Sequence, residues 1–369
     1  MINEDEAERE YKKNNKKISD DKQLIHKKKK FFSNYNNNNS LEIKKLFREI
    51  RTLYTIKNKS NYLLQSKEIK LIKDNLNIII DFIYVDEGID LYSLISATNY
   101  DYRTQKNLIK WILFQCLKAI ETFHSLNIIH RDINPNNILI SSKGEIKISE
   151  FANSINDIES KFVVDKVVGD LAYISPECLL LHNYNNKIDI WAIGVLMIEL
   201  YTKKTHVLMS EKDDENDSCQ KRFFNQLQHL SNIFQIPFNY NFTQYKNKKD
   251  ELIAWVSNNA KFEKEQFAKI CNYIPDLDKD ALDLLRRLLA FNPKERITAK
   301  EALKMDYFKE YQFFNKEEYK KNKEKKNDNL SLFIKNLEKE FKKTEQLPSD
   351  IRIQKYKEEI NNFFSGQKY

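Results

Sequence analysis

Ile129-His130-Arg131-Asp132-Ile133-Asn134-Pro135-Asn136-Asn137-Ile138-Leu139 decides how this 369-residue chain is read. The stretch sets a carboxylate, Asp132, five residues before a carboxamide, Asn137. Before it, residues 104–126 carry apolar positions at helical spacing and predict a long amphipathic helix. After it, NILISSKGEIKIS reads as a hairpin turning at Ser142-Lys143-Gly144. A loop held between a helix and a hairpin can aim both polar groups at one point. A match of this length alone is also compatible with a purely structural loop.

Working outward, the chain begins with a charged segment, 1–22, followed by the basic strand candidate QLIHKKKKFF and the low-complexity NYNNNNS. LEIKKLFREIRTLYTI, from Leu41 to Ile56, has helical periodicity, and 62–85 reads as two strands ending in NIIIDFIYV. Ile188 to Leu200 is apolar on all sides and predicts a buried helix. Further helices are expected over 223–235, 249–258, 278–290 and 298–305. A β-rich start and a helical remainder predict a two-lobed α+β fold with a small β-rich lobe and a large helical one.

Composition narrows the class. Net charge is +8 with 62 basic and 54 acidic side chains, so both signs are interspersed. That pattern argues for a solvated surface over nucleic-acid binding, although Lys27–Lys30 and the basic tail keep that third reading open. Five glycines and six prolines exclude collagen-like and Pro-rich architectures. Cys116, Cys178, Cys219 and Cys271 are too scattered for a disulfide framework or zinc site. No apolar run follows Met1 and none is long enough to span a bilayer, so the expectation is a soluble protein of the cytoplasm or nucleus, without membrane contact.

Three further motifs follow in order. Ser175-Pro176-Glu177 stands after the hairpin, Asp189-Ile190-Trp191 opens the buried helix, and Asn292-Pro293-Lys294-Glu295-Arg296-Ile297-Thr298 comes late. With the His130-Arg131-Asp132 segment, they resemble the H-R-D-x-x-x-x-N, A-P-E, D-x-W and D-P-x-x-R-x-T motifs of eukaryotic protein kinases, over roughly residues 20–310. The chain is similar to the Ser/Thr type. NQLQHLSNIFQIP resembles the cyclin-dependent, mitogen-activated and casein-type group, while Gly169 to Glu177 resembles other Ser/Thr kinases. The resemblance implies a charged segment 1–22, an N-lobe 23–85, a C-lobe 86–310 and a charged, partly helical tail 311–369.

It also implies roles. Asp132 would accept the substrate hydroxyl proton, Asn137 and Glu150 would hold Mg²⁺, and the nucleotide would be ATP. Lys27, with Lys28 next, would hold the α- and β-phosphates and pair with Glu49; surface lysines and an ordinary exposed helix Glu are the plain alternatives. Ile80 would be the gatekeeper and Asp81-Phe82-Ile83 the adenine hinge, positions that core packing explains equally. His130, Phe151 and Leu53 would stack in a hydrophobic spine, and Glu177 would pair with a buried Arg296. Asp189 matches the D-x-W position and Arg131 would meet an acidic side chain such as Asp165 or Asp170.

The departures are specific. D-F-G reads Glu150-Phe151-Ala152; the extra methylene matters because Mg²⁺ demands octahedral geometry at roughly 2.0–2.1 Å. No glycine precedes Gly88, so no Gly-rich phosphate loop is visible in this sequence. Asn134 replaces the Lys two residues after Asp132, and Asp170 replaces the Thr of G-T-x-x-Y, which predicts two neighbouring carboxylates that share a proton. The reading is therefore a pseudokinase or strongly impaired Ser/Thr kinase with weak ATP and Mg²⁺ binding and a scaffold or regulatory role. The alternative is an active atypical Ser/Thr kinase. The partner is a protein substrate or regulator. Leu330, Ile334, Leu337 and Phe341 form an apolar stripe with which the tail would dock on its own lobes or on a partner.

Overall fold

The computed structural model describes residues 24–32, 40–74, 77–85, 88–97, 101–104, 106–156, 167–179, 184–212, 214, 216–234, 274 and 277–311. The expected helix at 249–258, the tail stripe, Cys271 and Asp165 lie outside them. The chain divides into two compact units.

The first unit is a three-stranded antiparallel sheet of β1 (Leu24–Phe32), β2 (Ser66–Asp74) and β3 (Asn77–Val85), in the order β1-β3-β2. The apolar run NIIIDFIYV is the middle strand, where both backbone edges are paired, and the Lys-rich strands take the edges. In register, Lys27 is opposite Phe82, Lys28 opposite Asp81, Lys29 opposite Ile80 and His26 opposite Ile83. On the other side Leu71 faces Ile80, with an irregularity between Ser66 and Glu68.

The second unit holds the helices. Helix α1 (Ser40–Ile56) packs on the 3₁₀ turn Phe151–Asn153 and buries Glu49, Thr52, Leu53 and Ile56. Strand β4 (Ile89–Asp90) leads into α2 (Leu91–Ser96), whose first turn is capped by the Asp90 side chain accepting from the Ser93 N–H. Helix α3 (Lys106–Ser125) buries one broad face that includes Leu108, Ile112, Leu113, Leu117, Ile120 and Phe123. After β5 (Ile128–Ile129) and the His130 loop, β6 (Ile138–Ile140) and β7 (Ile146–Ile148) form the expected hairpin, in a sheet of order β4-β6-β7. The buried Gln115 of α3 pins that hairpin: its Nε2 donates to Gly144 O at 2.8 Å, and its Oε1 accepts from Ile146 N at 3.1 Å. Strand β8 (Ile155–Asn156) closes back on β5.

Helix α4 is the short Pro176–Leu179, and α5 (Lys187–Thr202) is the buried helix, apolar on every face as its sequence predicts. Helices α6 (Cys219–Ile233), α7 (Lys279–Leu288) and α8 (Ala299–Ala302) follow. The helix expected at 298–305 is shorter, a single turn started by a Thr298–Glu301 capping box and continued by turns. Cys116 and Cys178 are buried free thiols and Cys219 is exposed. Among the described residues no helix is long and apolar enough to cross a membrane.

Candidate active site around Asp132

Asp189, at the start of α5, fixes the backbone of the His130 loop. Its carboxylate is 1% exposed and accepts from His130 N at 2.9 Å, Arg131 N at 2.9 Å and His124 Nε2 at 3.0 Å. Burial opposes its charge, but the hydrogen bonds from His124 and from the His130 backbone N–H outweigh that and hold the carboxyl below its ordinary range. These bonds clamp Arg131 in a left-handed backbone conformation, φ +67°, which costs a non-glycine residue about 1–3 kcal/mol and persists only where the surroundings enforce it.

His130 is fully buried and stays neutral, because desolvation lowers its pKa despite the charges of Asp189 and Asp132. Its tautomer follows from its neighbours. The Asp132 N–H points at Nδ1 (3.3 Å), so Nε2 carries the proton and donates to Ser149 O at 2.9 Å. The imidazole packs tilted against Phe123 and edge-to-face against Phe151, at centroid distances of 5.6 and 5.7 Å. It is a packing and bridging residue.

Asp132 presents both carboxylate oxygens to carboxamides. Asn134 Nδ2 donates to Oδ1 at 2.9 Å and Asn153 Nδ2 donates to Oδ2 at 3.0 Å. Asn134 caps the 3₁₀ turn Pro135–Asn137 by accepting from Asn136 N, so its amide is committed to the loop. Asn137 Nδ2 donates to Asp132 O at 2.8 Å, and a carbonyl partner requires the NH₂ group there. The Asn137 Oδ1 therefore points away from that bond. The main-chain carbonyl of Asn137 accepts from Ser149 N and Oγ, tying the loop to β7 one residue before Glu150.

Glu150 adopts φ +61°, ψ +71°, a second left-handed non-glycine residue beside the loop. Phe151 behind it is 1% exposed. Asn137 carries a carboxamide oxygen and Glu150 a carboxylate, oxygen donors of the kind that hard divalent cations take. Among the described residues there is no cluster of three or more His, Cys, Asp or Glu that could hold a metal ion.

Gly169 adopts φ +96° and packs against the same carboxylate. A Cβ there would lie 2.9 Å from Arg131 O and 3.2 Å from Asp132 Oδ1. The neighbouring Asp170 departs from the sequence expectation. Its Oδ1 accepts from Ala172 N and its Oδ2 pairs with His206 Nε2 at 2.9 Å. Burial raises its pKa, yet the bonds from His206 and Ala172 prevail and hold the carboxyl below its usual range, so its hydrogen-bond partners are His206 and Ala172 and not Asp132. His206 is raised in turn, chiefly by the Asp170 hydrogen bond. Of the two acidic partners expected for Arg131, Asp170 is engaged by His206 and Ala172, and Asp165 lies outside the described residues. Arg131 meets no acidic side chain among the described residues; Nε donates to Asn153 O at 2.6 Å and Nη1 to Tyr184 OH at 2.7 Å.

Glu177 and Arg296 form a bidentate ion pair, with Nη1–Oε1 at 2.6 Å and Nη2–Oε2 at 2.9 Å. Arg296 is 1% exposed, stacks over Trp191 at 5.1 Å, and spends its other N–H groups on the carbonyls of Ala290, Lys187 and Phe291. Glu49 is 1% exposed, which removes the reading of an ordinary surface glutamate. Lys27 lies on β1 and Ile80, Asp81 and Ile83 on β3; their side chains lie outside the described set. Sequence reasoning did not single out Asn153, Ser149, Tyr184, His124 or His206. Only Asn153 carried a signal, being a carboxamide one residue beyond Glu150-Phe151-Ala152.

Comparison with known proteins places this geometry. The protein kinase domain profile matches residues 13–308. The chain is 30% identical over 264 residues to the serine/threonine-protein kinase ppk23 of Schizosaccharomyces pombe, covering 71% of this chain and 61% of that protein. It is 27% identical to mitogen-activated protein kinase 5 of Arabidopsis thaliana, covering 65% of this chain and 64% of that one. It is 28% identical to mitogen-activated protein kinase HOG1 of Gibberella zeae, covering 73% and 68% respectively. The chain thus spans less than two thirds of the length of the first two relatives. The matched span, 13–308, covers most of the 369 residues, and the chain belongs to the protein kinase domain family.

Proposed function

We propose that this chain is a protein-kinase-fold protein of the Ser/Thr type with strongly impaired phosphotransfer, weak ATP and Mg²⁺ binding, and a scaffold or regulatory role toward a protein partner. The observation that carries the reading is Asn134. At the position where related kinases offer a lysine, this neutral amide is spent on Asp132 and on its own turn, so it brings no cation to offset the charge of a γ-phosphate. Glu150 adds to it. A carboxylate carried on a longer side chain sits where a misplacement of about 1 Å can cost on the order of 10²-fold.

An active atypical kinase is the second reading, favoured by the Asp132 and Asn137 arrangement. There Asp132 takes the acceptor hydroxyl proton, and Asn137 with Glu150 would hold the metal, which supplies charge neutralisation between the phosphates. The deciding experiment is a thermal-shift titration with ATP, with and without Mg²⁺, followed by a phosphotransfer assay. The impaired reading expects a small shift with little Mg²⁺ dependence and little transfer. A large Mg²⁺-dependent shift with transfer that Asp132→Asn abolishes would replace it with the second reading.

A further inference from the structure

Asn153 grips two consecutive residues of the His130 loop. Its side-chain Nδ2 donates to Asp132 Oδ2 at 3.0 Å, and its main-chain carbonyl accepts from Arg131 Nε at 2.6 Å. The contact comes from 21 residues away in sequence, on the turn that also carries Glu150. The turn itself is rigidly seated. Ser154 N closes it on Phe151 O at 3.0 Å, Phe151 is buried against His130 and Phe123, and α1 packs over it. The amide orientation is dictated by its partner, since a carboxylate accepts and only the NH₂ end can donate. On the opposite oxygen Asn134 does the same from within the loop.

We infer that Asn153 is a positioning residue for Asp132, one jaw of a neutral carboxamide clamp whose other jaw is Asn134, and that this clamp orients the carboxylate here in place of a lysine. The inference rests on Asp132 being the proton-accepting position of the proposed site. It deepens that reading: the clamp keeps the geometry of the base while supplying no positive charge. A carboxylate held by fixed dipoles is oriented without reorganisation, and each oxygen retains lone-pair capacity for a hydroxyl.

The test is a reciprocal exchange read by thermal melting of the full chain. Asn153→Asp keeps the shape but replaces the donor by a second carboxylate facing Asp132, whereas Asn153→Ala only deletes the bond. A clamp makes Asn153→Asp the less stable of the two, by at least about 3 °C. The exchanged protein, Asn153→Asp with Asp132→Asn, restores a donor–acceptor pair and regains most of the loss. A side chain that merely fills space reverses the order, with the isosteric Asp better tolerated than Ala, and the exchange gives no recovery; either result overturns the inference. Should Asn153→Asp not fold, folding of the exchanged protein supports the clamp, and its failure alongside a folded Asn153→Ala refutes it. Phosphotransfer by the wild type at ordinary kinase rates would overturn the impaired reading without touching the melting result. In that case Asn153→Ala must lower kcat with KM for nucleotide little changed.

Discussion

Arg296 shows how much of this fold hangs on single side chains. A guanidinium has five N–H donors, and here each meets an acceptor: two on Glu177 and the rest on the carbonyls of Ala290, Lys187 and Phe291. A charge buried so completely is tolerable only because nothing is left unpaired. Removing it strands Glu177, which is 7% exposed, and breaking such a pair typically costs about 3–5 kcal/mol. We therefore expect Arg296→Ala to lower stability by that amount in urea denaturation. Arg296→Lys should recover little, since an ammonium cannot reproduce the fork or the stack on Trp191. An unchanged midpoint in Arg296→Ala would mean that the bridge contributes nothing, and full recovery in Arg296→Lys would mean that the fork geometry does not matter. The same attention to donors explains what the sequence hides at this scale. Asp132, Asn137, Glu177 and Arg296 are legible because their spacing matches motifs. His206 is not, because its partner lies 36 residues away, and Asn153 is marked only by its place after Glu150-Phe151-Ala152, which gives no record of its contact 21 residues back.

Elements with a strong period were legible. Helix α5 reads as buried because it is apolar around its whole circumference, and the β6–β7 hairpin reads from its alternation and Gly144 turn. Helix α8 is shorter than its pattern implies, since a good capping box starts a helix but does not sustain one. What no pattern conveys is how closely elements approach. Gly194 lies inside α5, where it costs about 1 kcal/mol of helix propensity relative to Ala. The reason is across the interface: a Cβ there would come within 2.6 Å of Leu289 Cγ and Cδ2 and 3.1 Å of Leu288 Cβ. Leu288 and Leu289 are fully buried, so neither can swing aside. Overpacking of this kind costs about 1–3 kcal/mol and outweighs the propensity gain. Gly194→Ala is thus expected to destabilise by about 1–2 kcal/mol in denaturant titrations, and a more stable variant would show that α5 and α7 can separate at little cost.

At the scale of the whole molecule, buried ionisable groups make stability depend on pH in opposing directions. Asp189 and Asp170, both held low, contribute stability that is present above the usual carboxylate range and lost as pH falls through their folded values. His130, kept neutral by burial, loses stability as pH falls below its unfolded value near 6.5. Glu199 acts the other way. It is fully buried in α5, where it accepts from Tyr173 OH at 2.8 Å and from His206 N at 2.5 Å. Desolvation still prevails over these bonds and pushes its carboxyl from 4.5 up to about 7. The folded protein therefore keeps a proton on Glu199 that the unfolded chain has released, and stability falls as pH rises from 4.5 to about 7, then levels off. The displacement is worth roughly 3 kcal/mol. His206, raised by Asp170, adds to this trend, because its contribution is complete below 6.5 and lost as pH climbs through its folded value. The opposing groups blur the wild-type profile, so the informative quantity is a difference. Glu199→Gln keeps the shape and an acceptor but cannot ionise. Its melting temperature relative to wild type should rise between pH 4.5 and 7.5 by roughly 5–10 °C. A difference that stays flat across that range would mean that Glu199 is ionised in the folded protein well below neutrality, and that the Tyr173 and His206 bonds compensate fully for its burial.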